Sequence, residues 1–142
     1  MFKKIFFICA LLWVAANSFA DNVNTAIRIN NVNINGGLVY VAVYSNENDY
    51  KNEQAFFSFI LESTDAVLTY NLELPEGEYV VSVFQDKNKN GKLDTGIFGI
   101  PSEPVGKTNY SLKGSPGSFN KLKAAVNNNS ATLIVNMGKV KL

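Results

Sequence analysis

Ala66-Val-Leu-Thr-Tyr-Asn-Leu-Glu-Leu-Pro-Glu-Gly-Glu-Tyr-Val-Val-Ser-Val-Phe84 alternates apolar with polar side chains, breaks at Pro75-Glu76-Gly77, and turns apolar again. A period of two marks a strand with one buried face, because successive side chains leave a strand on opposite sides. Leu68, Tyr70, Leu72 and Leu74 fall inward, and Thr69, Asn71 and Glu73 outward. Proline and glycine at the break favour a tight turn, so Glu78–Phe84 is read as the hairpin partner of Ala66–Leu74.

The same period recurs on both sides of this segment. Val23–Ile29 places Val23, Thr25, Ile27 and Ile29 on one face. Asn33-Ile-Asn-Gly-Gly37 is a turn, and Leu38–Tyr44 is apolar on both faces, which suits a central strand. Ala131–Met137 forms the last strand. Asn48–Ile60 reads as a short helix or loop passing into an edge strand that carries Phe56, Phe57 and Phe59. In Phe119–Val126 helical spacing competes with alternation, and strand is preferred. Gly96–Gly117, rich in Gly, Pro, Ser and Asn, reads as a long surface loop with at most a short strand inside it. Short strands, turn residues between them and no long helix give an all-β fold, an antiparallel β-sandwich of about seven strands.

Residues 1–20 stand apart. Lys3 and Lys4 precede an apolar core from Ile5 to Ala16, and Ser18-Phe19-Ala20 supplies small residues before a cut at Ala20/Asp21. This is a secretory leader, the alternative being a retained N-terminal anchor; its core is short of the roughly 20 residues a spanning helix needs. The mature chain is then a single domain over 21–142, in the periplasm or secreted, with no transmembrane segment.

Losing the leader removes Cys9 and Trp13 and leaves 11 basic against 12 acidic side chains. Such a balance gives no footprint for nucleic acid. Without cysteine there is no disulfide, so the hydrophobic core must carry the fold. The absence of histidine excludes Ser-His-Asp and Cys-His catalysis and zinc sites built on imidazole. No Gly-rich phosphate loop is present, and the chain reads as non-enzymatic.

One segment carries chemistry: Asp86-Lys-Asn-Lys-Asn-Gly-Lys-Leu-Asp94, directly after the apolar run. Asp86, Asn88, Asn90 and Asp94 place side-chain oxygens at the first, third, fifth and ninth positions of a loop, Gly91 allows the sharp turn, and Lys92 offers its carbonyl. That is the opening of an EF-hand-type calcium loop, with Glu103 placed between Pro101 and Pro104 as a further carboxylate. Ile97 stands where an EF-hand has its bidentate glutamate, and Lys87, Lys89 and Lys92 oppose a cation. The competing reading is a turn in which Asp86, Asn88 and Asn90 cap backbone N–H groups as Asx-turns. Both readings stand at this point.

Leu74-Pro-Glu-Gly-Glu-Tyr79 resembles the Leu-Pro-x-Gly-x-Tyr segment of prealbumin-like and carboxypeptidase-regulatory-like sandwiches. Together with Asp86–Asp94, Gly99-Ile-Pro-Ser-Glu-Pro104, Gly106, Asn109 and Gly114-Ser-Pro-Gly-Ser-Phe119, it resembles a family of small exported bacterial β-sandwich proteins known as a domain of unknown function. The resemblance runs from about Val23 to the C-terminus and implies an immunoglobulin/prealbumin-like sandwich with no assigned activity. Val105 and Lys107 depart from the family's pattern, which has an aromatic before the second glycine.

The expected function is therefore an exported binding or structural module that meets a protein or glycan of the cell envelope, with a calcium-ordered loop. Two other classes stay open. One is a carbohydrate-active enzyme using Asp86, Asp94 and Glu103; the other is a periplasmic structural or chaperone-like protein acting through an exposed edge strand. Tyr40, Tyr44 and Tyr70 form a candidate ligand platform, against the plainer reading of cross-strand packing. Lys121, Lys123, Lys139 and Lys141 read as solvated charges that protect an edge.

Overall fold

A computed structural model describes residues 21–142; the leader reading for residues 1–20 lies outside the described residues. Eight strands form two packed sheets. The first has the order β4(Val67–Pro75)-β1(Asn22–Asn30)-β8(Thr132–Asn136). The second has the order β3(Phe57–Leu61)-β2(Leu38–Tyr44)-β5(Gly77–Asp86)-β6(Val105–Lys107), and β7(Ala124–Val126) pairs with the start of β5. Two short helices, α1(Glu47–Lys51) and α2(Phe119–Leu122), lie against the second sheet. Among the described residues no helix is long and apolar enough to cross a membrane.

The core is what the alternation anticipates. Val23, Thr25, Ile27 and Ile29 are all buried, facing Val39, Val41 and Val43 of β2 and Val81 and Val83 of β5. Leu133 and Val135 close the same layer from β8. β6 reaches this layer through Gly106. A Cβ there would lie 2.6 Å from Val135 Cγ1 and 2.8 Å from the Asn136 carbonyl oxygen. The two sheets approach too closely at that point for any side chain.

Four expectations are corrected. β4 and β5 are not a hairpin: β4 pairs only with β1, and β5 with β2, β6 and β7. Pro75-Glu-Gly77 is a corner between sheets, where the Tyr79 hydroxyl donates to the Pro75 carbonyl at 2.7 Å and braces the bend. The sandwich is not wholly antiparallel, since β1 and β8 run parallel from Ala26↔Thr132 to Asn30↔Asn136. Phe119–Val126 is a helical turn followed by a strand, with Phe119 and Leu122 buried against Tyr44 and Val80. Gly96–Gly117 does hold the short strand allowed for it, β6 at the second sheet, but it is not all surface, because Val105, Gly106 and Thr108 are buried. The helix-then-edge-strand reading of Asn48–Ile60 holds: Asn46 Oδ1 caps α1 by accepting from Asp49 N–H at 2.9 Å, and β3 is a sheet edge.

Candidate functional site

The Asp86–Asp94 loop is held by its own hydrogen bonds. Asp86, 1% exposed, accepts from Asn90 N–H at 3.2 Å and from Gly91 N–H at 2.8 Å. Asn88 Oδ1 accepts from Asn90 N–H at 3.3 Å, and Asn90 Oδ1 from Lys92 N–H at 3.1 Å. These are Asx-turns. Lys89 and Gly91 take left-handed backbone with φ 58° and 77°, a conformation a glycine adopts at no steric cost. The amides of Asn88 and Asn90 both donate to the Asp94 carboxylate. Glu103 does fold back onto the loop. Buried at 4% exposure, it accepts from Lys87 N–H at 2.8 Å and from Asp94 N–H at 3.1 Å, joining the loop's first turn to its last.

The residues of the expected donor set lie in one loop, with their oxygens already engaged in hydrogen bonds. Asn88, Asn90 and Asp94 converge on one spot, while Asp86 and Glu103 face backbone N–H groups. Among the described residues no group of three or more His, Cys, Asp or Glu comes together as a ligand set. The atoms suit a hard cation in kind. One would enter by displacing the two amides from Asp94 and taking the remaining oxygen lone pairs of Asp86, Asn88, Asn90 and the Lys92 carbonyl. For an enzyme cleft the arrangement is poor, since Asp86 and Glu103 are buried and spoken for.

A second feature adjoins this loop. On the outer face of the second sheet, register aligns Ser58, Ala42, Ser82 and Lys107 in one row across β3, β2, β5 and β6. The row beside it holds Ile60, Tyr40, Phe84 and Val105. On the other side Tyr44 and Val80 rise under α1 and α2. Small residues between bulky rows make a trough across the strands. Three interstrand spacings give it a length of about 14 Å, and it encloses a volume of 1110 Å³. Tyr40 and Phe84 stack at 4.8 Å with ring planes 7° apart, Tyr50 meets Tyr44 edge-on at 5.4 Å, and Gly91–Leu93 of the loop form part of the lining.

Lys107 ends the row. Its ammonium donates to Ser82 Oγ at 2.9 Å and sits 4.9 Å from the centre of the Tyr50 ring. Among the described residues it makes no ion pair. Burial lowers its pKa from 10.5 to about 8, and the nearby Glu53 carboxylate only partly offsets this. Burial likewise raises the phenols of Tyr44 and Tyr50.

The proposed tyrosine platform is rearranged. Tyr40 and Tyr44 do share this face, but Tyr70 lies on the other sheet, stacked on Phe59 at 3.9 Å. Phe84, Tyr50 and Lys107 take its place in the trough. The departure of Val105 and Lys107 from the family pattern was the only local hint of the last. Lys123 pairs with Glu78 at 2.7 Å rather than standing alone.

Fold and site together define a two-sheet β-sandwich with a concave outer face bordered by a polar loop. A family model described as an uncharacterized protein conserved in bacteria (DUF2141) matches residues 27–134, and the chain belongs to that family. No curated protein and no solved structure matches the chain.

Proposed function

We propose that the protein is a non-enzymatic binding module of the bacterial cell envelope, exported as residues 21–142, that holds a surface glycan in the trough. The trough itself carries this reading. Aromatic rings, two serine hydroxyls on the floor and the Lys107 ammonium at its end offer apolar contact plus a few placed polar groups, the usual make-up of a ligand site. Its volume lies slightly above the common range for small-molecule sites, about 300–1,000 Å³.

Calcium at Asp86, Asn88, Asn90, the Lys92 carbonyl and Asp94 belongs to the same reading. Gly91–Leu93 line the trough and Asp86 and Asp94 bracket them, so an ion would stiffen a wall of the binding site. With two carboxylates and three opposing lysines its Kd falls on the order of 10⁻⁴–10⁻³ M, as in extracellular modules. Screening the mature protein on arrays of envelope glycans and against envelope protein extracts, with calcium or with EGTA, tests the function. Retention on glycans, stronger with calcium, is the expected result. Retention only by an envelope protein would replace the glycan reading with a protein-partner one.

A further inference from the structure

The trough is asymmetric in charge, and that narrows its ligand. Lys51, Lys92 and Lys107 line it against one carboxylate, Glu53. Lys51 is paired with Glu47 at 3.3 Å, and Lys92 is exposed on the loop. Lys107 alone is a largely enclosed cation, with Ser82 Oγ as its hydrogen-bond acceptor and the Tyr50 ring beneath it. A half-buried ammonium retains N–H donors that a single neutral hydroxyl cannot satisfy. The position is fixed: Lys107 is directly opposite Ser82 in the β5–β6 register, at the end of the small-residue row.

From this juxtaposition we propose that the trough takes a carboxylate-bearing sugar, a uronic acid unit of an acidic polysaccharide, with its carboxylate on Lys107. The sugar ring lies over the Ala42–Ser82 floor beside Tyr40 and Phe84, and Ser58 and Ser82 meet its hydroxyls. A fatty acid fits less well, because the floor carries hydroxyls. A phosphate dianion fits less well too, because Glu53 adds a like charge to a site with a single enclosed cation. The inference rests on the trough being the binding site.

The test uses a matched pair of probes, trigalacturonate and its fully methyl-esterified form, titrated into ¹⁵N-labelled mature protein at pH 6.5. The acid is expected to shift the amides of Ala42, Ser82 and Lys107, and to bind about tenfold or more tighter than the ester. Lys107→Gln should remove most of that difference, while Lys107→Arg should keep it within about threefold. Ala42→Leu, which plugs the floor, should abolish both titrations, with Ser58→Leu on the exposed edge strand as a second plug. Equal binding of acid and ester, or a Lys107→Gln variant that still prefers the acid, overturns the uronate assignment and leaves the trough standing. Shifts unaffected by either plug, or no shift in any variant at millimolar probe, overturn both.

Discussion

Lys107 and Ser82 face each other across the β5–β6 register, and the hydrogen bond between them fixes an enclosed ammonium at one end of the trough. Its burial costs stability at neutral pH. The folded-state pKa of about 8 lies below the ordinary 10.5, so below pH 8 both states hold the proton and the cost is fully present. Between those two values the unfolded chain binds more protons, and stability therefore rises with pH.

Lys107→Met should accordingly raise Tm at pH 7 by roughly 3–6 °C, the equivalent of about 1 kcal/mol in a domain of this size. The gain should shrink towards pH 10. Tyr44 and Tyr50, whose phenols are raised above 10.0, contribute the opposite slope only beyond that. Thermal melts of both proteins from pH 6 to 10 check this; a difference that stays constant with pH would contradict the burial argument. Uronate binding should fade as pH rises through about 8, when Lys107 loses its charge.

Glu103 secures the loop by accepting from Lys87 and Asp94 N–H. Glu103→Gln keeps one acceptor oxygen but loses the charge and presents an amide to a backbone donor. A loss of about 2 kcal/mol is expected, within the range for charge-assisted hydrogen bonds. Urea unfolding measures it directly. Asp94→Asn should cost less, because Asp94 is only half-buried.

Gly106 has no room for a side chain against Val135 and Asn136. Gly106→Ala should cost about 1–3 kcal/mol by overpacking. In the double variant with Val135→Ala, part of that cost should return, giving a coupling of roughly 0.5 kcal/mol or more. Strict additivity in a denaturation cycle would mean that the sheets do not meet there.

Calcium, if caged by the loop, binds the folded state and hardly the unfolded one, stabilising by about 1.4 kcal/mol at tenfold excess over Kd. That is a Tm rise of roughly 3–6 °C in millimolar calcium relative to EGTA. Asp86→Ala should abolish the increment and Lys87→Ala should keep it. A melt unchanged between calcium and EGTA for each of the three proteins, whatever Asp86→Ala costs by removing its cap, would leave a purely hydrogen-bonded turn.

Much of this was legible in the sequence because it depends on local period. Val23–Ile29 and Leu38–Tyr44 announce their buried faces by alternation or by being apolar throughout, and both are strands. The loop's Asx-turn chemistry and the return of Glu103 were also readable, since Pro101 and Pro104 limit where that glutamate can point. What escaped depends on contacts remote in sequence. Pro75-Glu-Gly77 has the same local chemistry whether β5 pairs with β4 or crosses to the other sheet; only the partners β1 and β2 decide. β6 is three residues long and has no period of its own to show. The trough exists only once Ser58, Ala42, Ser82 and Lys107, far apart in the chain, fall into register.

That register is the centre of the account, and co-sedimentation tests it most directly. The mature protein, its Ala42→Leu variant and its Ser58→Leu variant are mixed with an insoluble cell-envelope polysaccharide fraction in millimolar calcium. Wild type should pellet with the polysaccharide, and both plugged variants should stay in the supernatant while melting within a few degrees of wild type. Equal pelleting by all three proteins would place the ligand elsewhere and contradict the account.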